Sequence, residues 1–169
     1  MQTEDLYEVE DAGVELDTEN TLEDRYLTFK TGDEQYAFEI EYVTEIIGIQ
    51  NITPVPNIKP FIKGIINLRG IIYPVICVRK RFNIPEIPYN DRTCIIIVNV
   101  NNNGIGLIVD EVAEVIKILP EQISPPPQTN KGSHSKFIKG IGRVGENLKI
   151  ILDIKKLLYD IDSDINEKE

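Results

Sequence analysis

The sequence is poor in the residues on which most catalytic and metal sites depend. Its 169 residues include one histidine (His134), two cysteines (Cys77 and Cys94), one methionine and no tryptophan. Two cysteines cannot build a disulfide framework or a four-cysteine zinc site, and a single histidine excludes histidine-rich metal sites. Both cysteines lie in apolar runs, so we expect them to be core thiols rather than redox or metal-binding groups.

Long apolar runs and targeting signals are also missing. The longest uninterrupted apolar stretches, such as residues 94–98, are far shorter than the roughly 20 residues that span a bilayer. Residues 1–10 are acidic and contain neither the basic nor the apolar region of a secretory signal, so we expect an intracellular protein.

Charge is unevenly distributed along the chain. Residues 1–24 contain ten acids and no base, residues 25–159 contain 13 acids and 17 bases, and residues 160–169 contain five acids and one lysine. Because like charges repel and apolar residues are few, we expect residues 1–24 to form a disordered acidic tail. Residues 160–169 form a second acidic tail, which leaves residues 25–159 as the folded part.

The stretch from residue 46 to residue 85 contains no acid. Its bases are Lys59, Lys63, Arg69, Arg79, Lys80 and Arg81. Such a window is either an ordinary solvated surface or a face for an acidic partner. Nucleic acid is disfavoured as that partner because few aromatic residues accompany the bases and the acidic tail would compete with it.

The pattern between the two tails is typical of short strands and turns. Period-two alternation predicts hairpins over residues 26–40 and 93–110, and the apolar runs at 65–76 and 149–154 predict further strands. Pro74 predicts a sheet edge or a bulge. Two helical segments are expected: one or two turns across Ile40, Val43 and Ile47, and a short closing helix over residues 154–161. The sequence therefore predicts an all-β fold with short helices.

The sequence contains an internal repeat. The string Phe61–Ile65 recurs as Phe137–Ile141 at an offset of 76, and the pattern of residues 27–46 recurs at an offset of 69. The Pro-rich loop at residues 125–135 is expected to supply the seven additional residues. We infer a duplicated unit of about 65 residues, because two such small units can share a core that neither could bury alone. A groove between the two copies follows from this arrangement.

No arrangement of residues favours catalysis. Ser133, His134 and Ser135 are neighbours in a predicted loop, and sequence neighbours rarely orient toward each other as a nucleophile and its base do. Glu45 and Glu114 are equivalent in the repeat, but each is expected on the surface of its own copy rather than in an acid–base pair. We therefore expect a binding module with no catalytic residue, no metal and no cofactor.

The folded part resembles the CheW chemotaxis coupling proteins. The most specific piece of the resemblance is the string Gly-x-x-Asn-Leu-Arg-Gly at residues 64–70. The strings that carry the resemblance lie at residues 26–40, 43–46, 54–56, 61–70, 74–75, 89–91, 106–112, 123–127 and 152–157. It extends over roughly residues 25–159, and the two acidic tails lie outside it. One departure is Cys77, where the family usually has the aspartate that the second copy has at Asp153.

The resemblance implies a fold and a role. CheW-like proteins consist of two SH3-like five-stranded β-barrels side by side, here about residues 25–88 and 89–159. They are not enzymes, and they bridge the cytoplasmic hairpin tips of transmembrane chemoreceptors to the regulatory domain of the histidine kinase CheA. The implied location is the cytoplasm, at receptor arrays on the inner membrane, with membrane contact only through receptors.

The resemblance also identifies candidate receptor-binding residues. Arg69 matches an arginine on the functional surface of the family, and Val43 and Glu45 belong to a second matching string. Gly64 and Asn67 are expected to set the backbone and the turn around Arg69. Two alternatives stay open: a CheW-fold module of another two-component pathway, such as a CheV-like adaptor, and a small β-barrel enzyme or nucleic-acid-binding protein.

Overall fold

The described part of the chain contains eleven strands connected mostly by tight turns. The structure is a computed structural model, and it describes residues 22–126 and 135–158. The strands of the first half are β1 (Arg25–Thr31), β2 (Glu34–Glu39), β3 (Val43–Gly48), β4 (Ile62–Leu68) and β5 (Ile71–Cys77). The strands of the second half are β6 (Cys94–Val100), β7 (Asn103–Val109), β8 (Glu111–Lys117), β9 (Ile123–Ser124), β10 (Ile138–Val144) and β11 (Asn147–Leu152).

Helices in the described residues are short. Helix α1 covers Val78–Arg81, helix α2 covers residues 154–158, and 3-10 turns cover Ile40–Tyr42, Pro120–Gln122 and Ser135–Phe137. The closing helix predicted at 154–161 is thus confirmed to residue 158, and its last three residues lie outside the described part.

The other predicted helix is wrong beyond Tyr42. The chain continues as strand β3, which has a β-bulge between Val43 and Glu45. Valine, threonine and isoleucine in this segment favour a strand. Because a bulge interrupts period-two alternation, it produces a three-and-four spacing of apolar residues that resembles a helical pattern.

The two halves contain the same elements in the same order. Strands β1, β2 and β3 correspond to β6, β7 and β8 at an offset of 69, and β4, β5 and α1 correspond to β10, β11 and α2 at an offset of 76. A bulge between Ile62 and Gly64 recurs at the equivalent residues Ile138 and Gly140. The predicted duplication is therefore confirmed by element order, strand register and irregularities.

The additional residues of the second half are not all in the Pro-rich loop. Thr53 forms a bridge to Ile65, and Ser124 pairs with Ile141 in the equivalent way. The offset between Thr53 and Ser124 is 71, so two additional residues precede Ser124 and the other five lie between Ser124 and Phe137.

The strands form two sheets, and each sheet contains strands from both halves. The strand order is β8-β1-β2-β11-β10-β9 in the first sheet and β3-β6-β7-β5-β4 in the second. Strand β3 follows β2 in the chain but pairs with β6, and β8 pairs with β1. Each half therefore contributes its N-terminal hairpin to the sheet formed by the other strands of the opposite half. The two closed barrels expected from the resemblance are not confirmed, because the strand order gives two open sheets.

Proline 74 fits this topology. Strand β5 pairs with β4 along its length but with β7 only from Val75 to Cys77. Pro74 thus has a neighbouring strand on one side only. On the other side no strand needs a hydrogen bond from its backbone, so the missing N–H of proline is tolerated. The edge-like position predicted for Pro74 is confirmed.

The core has one large cluster and two small ones. The large cluster contains buried residues of both halves and both sheets, among them Phe29, Phe38, Ile96, Leu107 and Leu152. One small cluster belongs to the second sheet and includes Ile66, Val75 and Ile95, and the other belongs to the first sheet and includes Tyr26, Ala37 and Ile151. Because the hairpins are exchanged, neither half buries the large cluster alone.

The two cysteines differ in burial. Cys77 is buried, and burial raises the pKa of its thiol. Cys94 is only half-buried, so the expected core position is confirmed for Cys77 alone. At the position equivalent to Cys77, the Asp153 carboxylate accepts a hydrogen bond from the Lys156 N–H at the start of α2, whereas Cys77 makes no side-chain cap for α1. The first half thus lacks the side-chain helix cap that Asp153 provides in the second half.

Candidate functional site

The most exposed feature among the predicted site residues is the turn between β4 and β5. Leu68 and Ile71 pair across it, so its loop consists of Arg69 and Gly70 alone. Both loop residues have positive φ, 56° at Arg69 and 88° at Gly70, as the two-residue turns that match the twist of a hairpin require. The arginine side chain is thereby presented at the tip of a hairpin, and 67% of it is exposed to solvent.

Arg69 forms an ion pair with Glu45. Its Nη2 atom lies 2.6 Å from one carboxylate oxygen of Glu45 and 2.8 Å from the other. The hydrogen bond to this carboxylate raises the pKa of the Arg69 guanidinium. Glu45 lies on β3 and Arg69 follows β4, and these are the two edge strands of the second sheet. The structure thus brings together two of the predicted residues and connects the two edges of one sheet.

Asn67 and Gly64 support this region in different ways. The side-chain oxygen of Asn67 accepts a hydrogen bond of 2.9 Å from the N–H of Gly70 inside the turn. Gly64 lies at the bulge of β4 with φ of 147°, and a Cβ atom there would be 2.1 Å from the carbonyl oxygen of Thr53. Only glycine allows this close approach of two backbone segments. These contacts agree with the supporting roles predicted for Asn67 and Gly64.

Val43 occupies a different environment from Glu45. It is half-buried, pairs with Val98 across the sheet and packs against the large core cluster. Because of the bulge after Val43, the side chains of Val43 and Glu45 do not point in the same direction. Its contribution to a contact surface stays a prediction, and its packing gives it a structural role as well.

Glu45 and its counterpart Glu114 do not form a pair. Glu45 lies in the second sheet, and Glu114 lies on β8 of the first sheet, where its backbone exchanges hydrogen bonds with the Thr28 hydroxyl. At the position equivalent to Arg69 the second half has Gly145, so it has no arginine at that turn.

The sequence does not predict the exposed apolar residues that lie next to the turn. Ile71 and Ile72, the first residues of β5, are 56% and 53% exposed, and Ile46 beside Glu45 is 41% exposed. Their neighbour Tyr73 is half-buried. A run of apolar residues around Pro74 predicts a strand, and only the sheet topology shows that its first residues are not paired with β7. Exposed apolar side chains thus lie close in the chain to both residues of the ion pair, Ile46 next to Glu45 and Ile71 and Ile72 just after Arg69.

The acid-free window does not form one basic face. Acids distant in the sequence partner its cations: Lys63 lies 2.7 Å from Glu86 and Arg79 binds Asp110 with two hydrogen bonds of 2.8 and 2.9 Å. Arg81 is buried. Arg69 is the window's most prominent exposed cation with a described partner, so the electrostatic character of this surface depends on the Arg69–Glu45 pair.

Two features of other functional classes are not found in the described residues. No group of three or more histidine, cysteine, aspartate and glutamate side chains there is arranged to hold a metal ion. No helix in that part of the chain has the length and apolar character needed to cross a membrane. The Ser133-His134 pair lies outside the described residues.

The chain is similar to a set of known proteins over most of its length. Residues 25–162 match the family described as CheW-like domain. The chemotaxis protein CheW of Klebsiella aerogenes is 36% identical over 82% of this chain and 83% of its own, and CheW of Bacillus subtilis is 34% identical over 80% and 86%. The crystal structure of a scaffolding protein, TtCheW from Thermoanaerobacter tengcongensis, superposes with a TM-score of 0.71 at 38% identity, covering 76% of this chain and 88% of that one.

Proposed function

The chain belongs to the CheW-like family of chemotaxis proteins, and we propose that it couples transmembrane chemoreceptors to the histidine kinase CheA as a non-enzymatic scaffold. The similar crystal structure is described as that of a scaffolding protein, and the similar sequences are named as chemotaxis proteins. A scaffold needs surfaces rather than reactive groups, and the described surface around Arg69 combines an exposed ion pair with exposed apolar side chains. In the cell the protein acts in the cytoplasm, at receptor arrays on the inner membrane.

The observation that carries the proposal is the Arg69–Glu45 pair at the edge of the second sheet. Only Nη2 of Arg69 contacts Glu45, and the Nε and Nη1 atoms make no hydrogen bond to the described residues. A guanidinium has five N–H donors in a planar fork, so donors remain for oxygen atoms of a partner. Ile71 and Ile72 supply apolar contact beside these donors. Free guanidinium donors beside apolar side chains suit the tip of a helical receptor hairpin. Such a tip offers oxygen atoms, from carbonyl or carboxylate groups, and it also offers apolar side chains.

We also infer that the second sheet curls toward an SH3-like barrel. Its edge strands β3 and β4 are connected by the Arg69–Glu45 pair, and the bridge between Thr53 and Ile65 joins β4 to the segment that follows β3. The small core cluster of this sheet contains residues of β4, β5, β6 and β7, as expected for side chains that face the inside of a curled sheet. The equivalent cluster of the first sheet supports the same inference for the other half.

A co-sedimentation experiment tests the proposed function. Membranes that contain chemoreceptors are mixed with the purified chain and with CheA, and the pellet is analysed for both soluble proteins. We expect the chain to pellet with receptor membranes and to increase the amount of CheA that pellets. Membranes without receptors provide the control. A folded chain that brings down no CheA would contradict the proposal, and retention on a nucleic-acid column instead would favour a small β-barrel nucleic-acid-binding protein.

A further inference from the structure

The backbone of Arg69 has a conformation that an arginine rarely adopts. Its φ of 56° lies in the left-handed region, where the Cβ atom of any residue other than glycine is crowded. Gly145, the equivalent residue of the second half, has φ of 65° at the equivalent turn. The first loop residue thus has a positive φ in both halves, and the first half places an arginine there. The second loop residue has a positive φ in the first half only, at Gly70.

The first half also has a hydrogen bond that supports the turn. The Asn67 side chain accepts a hydrogen bond from the Gly70 N–H, and this bond closes the turn around Arg69. The equivalent residue of the second half is Arg143, whose guanidinium cannot accept a hydrogen bond. The supporting acceptor is therefore present in the half with the strained arginine, and its counterpart is lacking where glycine adopts the same angle without strain.

Strained backbone that is held by its surroundings is a feature of functional sites. We propose that Asn67 is a positioning residue, which holds the left-handed turn at Arg69 and so directs the guanidinium toward Glu45 and toward a partner. This inference rests on the proposed function for the identity of the partner. The orientation of Arg69 in the free protein does not depend on that identity.

The expected consequence is that Asn67 acts on partner binding only through Arg69. Asn67 is exposed, so its replacement leaves no buried polar group and the variants should fold. Removal of the acceptor allows the turn to sample other conformations, which lowers the population of the binding-competent orientation. Asn67→Asp keeps an acceptor oxygen at the same place and should preserve the turn.

The first measurement is hydrogen exchange at the Gly70 amide in the free protein. Asn67→Ala should accelerate exchange of this amide by about 3- to 10-fold, the equivalent of one ordinary hydrogen bond. Asn67→Asp should leave it close to wild type. Arg143→Ala, at the equivalent position of the other half, is the matched control and should leave Gly70 unchanged. Unchanged exchange in Asn67→Ala would overturn the supporting role.

The second measurement is a double-mutant cycle on binding to receptor membranes with CheA. Asn67→Ala should weaken binding by about 3- to 10-fold in the wild-type background and have no further effect in an Arg69→Ala background. Independent, additive losses would overturn the proposal that Asn67 acts through Arg69. If the folded wild-type chain binds neither protein, the proposed function fails together with the role of Asn67 in binding. The exchange measurement still decides whether Asn67 holds the turn.

Discussion

The guanidinium of Arg81 donates two hydrogen bonds to the main-chain carbonyl of Leu157, the residue that is equivalent to it in the other half of the chain. Its Nε and Nη2 atoms lie 3.1 and 2.9 Å from that oxygen. The guanidinium also lies against two equivalent rings, 4.2 Å from the centroid of Phe61 and 4.6 Å from that of Phe137. Arg81 therefore lies where the two halves meet and connects helix α1 to helix α2.

Replacement of Arg81 should destabilise the whole fold. Arg81→Leu removes two charge-assisted hydrogen bonds and two cation–π contacts and leaves the buried Leu157 carbonyl without these donors. We expect the free energy of unfolding, measured by urea denaturation, to fall by about 2–4 kcal/mol. Arg81→Lys should lose somewhat less because it keeps the charge but not the planar fork. Lys80→Leu, one residue earlier and more exposed, is the control, and an Arg81→Leu variant as stable as this control would contradict the prediction.

Gly64 should tolerate no side chain. In Gly64→Ala the new Cβ atom would lie 2.1 Å from the Thr53 carbonyl oxygen, so one of two hydrogen-bonded backbone segments must move. We expect a loss of about 2–4 kcal/mol in unfolding free energy. Gly48→Ala is the matched control, because no atom lies within 4 Å of a Cβ at that position of β3. Equal stability of the two variants would show that the approach at Gly64 is not a constraint.

The Arg79–Asp110 pair should make stability depend on acid pH. Burial tends to raise the pKa of Asp110, but hydrogen bonds from Arg79 and from the Gly32 N–H outweigh it, so the pKa lies below its usual value. A carboxyl with a lowered folded-state pKa stabilises the protein above its unfolded pKa of about 3.9. That stabilisation is lost as the pH falls through the folded-state pKa.

Chemical denaturation across pH 2–7 tests this pair. Asp110→Asn should lower the unfolding free energy by about 2 kcal/mol at neutral pH, and the difference from wild type should shrink below about pH 4. Arg79→Ala should flatten the acid dependence in the same way. A difference between Asp110→Asn and wild type that stays constant down to pH 2 would contradict the assignment.

The exchange of hairpins between the halves predicts that neither half folds alone. Residues 1–88 contain β3, β4 and β5 without the β6–β7 hairpin that lies between them in the sheet. Separate fragments 1–88 and 89–169 should each show little cooperative unfolding by circular dichroism. Mixed at equal concentration, they should recover a cooperative transition, because the missing strands are supplied in trans. Cooperative unfolding of either fragment on its own would contradict the shared core.

The repeat was accessible from the sequence because it is encoded in local strings. Phe61–Ile65 and its copy at Phe137–Ile141 fix the register, and turn residues such as Gly32 mark the hairpins. The exchange of hairpins was not accessible, since a strand pattern carries no information on which distant strand it joins. The same limit applies to the site: Arg69 was identified through family resemblance, but the partners of the window's cations are distant acids such as Glu45 and Asp110. Only the folded arrangement shows which acid partners each of these cations.

The wrong prediction of a helix where strand β3 forms has a physical cause of the same kind. The spacing of Ile40, Val43 and Ile47 fits a helix, but a 3-10 turn followed by a bulged strand gives the same spacing. Pairing with β6 stabilises the strand, and this long-range contact outweighs the local pattern. The exposure of Ile71 and Ile72 is hidden from the sequence for a similar reason, because it depends on where the pairing of β5 with β7 begins.

Receptor-dependent activation of CheA is the most direct test of the coupling role centred on Arg69. Phosphate incorporation into CheA is measured with receptor membranes over a range of concentrations of the chain, for wild type, Arg69→Ala and the control Arg143→Ala. We expect wild type and Arg143→Ala to activate the kinase alike. Arg69→Ala should keep its unfolding midpoint but need about 5- to 100-fold more protein for the same activation. The account would be contradicted by folded wild type that fails to activate CheA, or by Arg69→Ala that activates it as well as wild type.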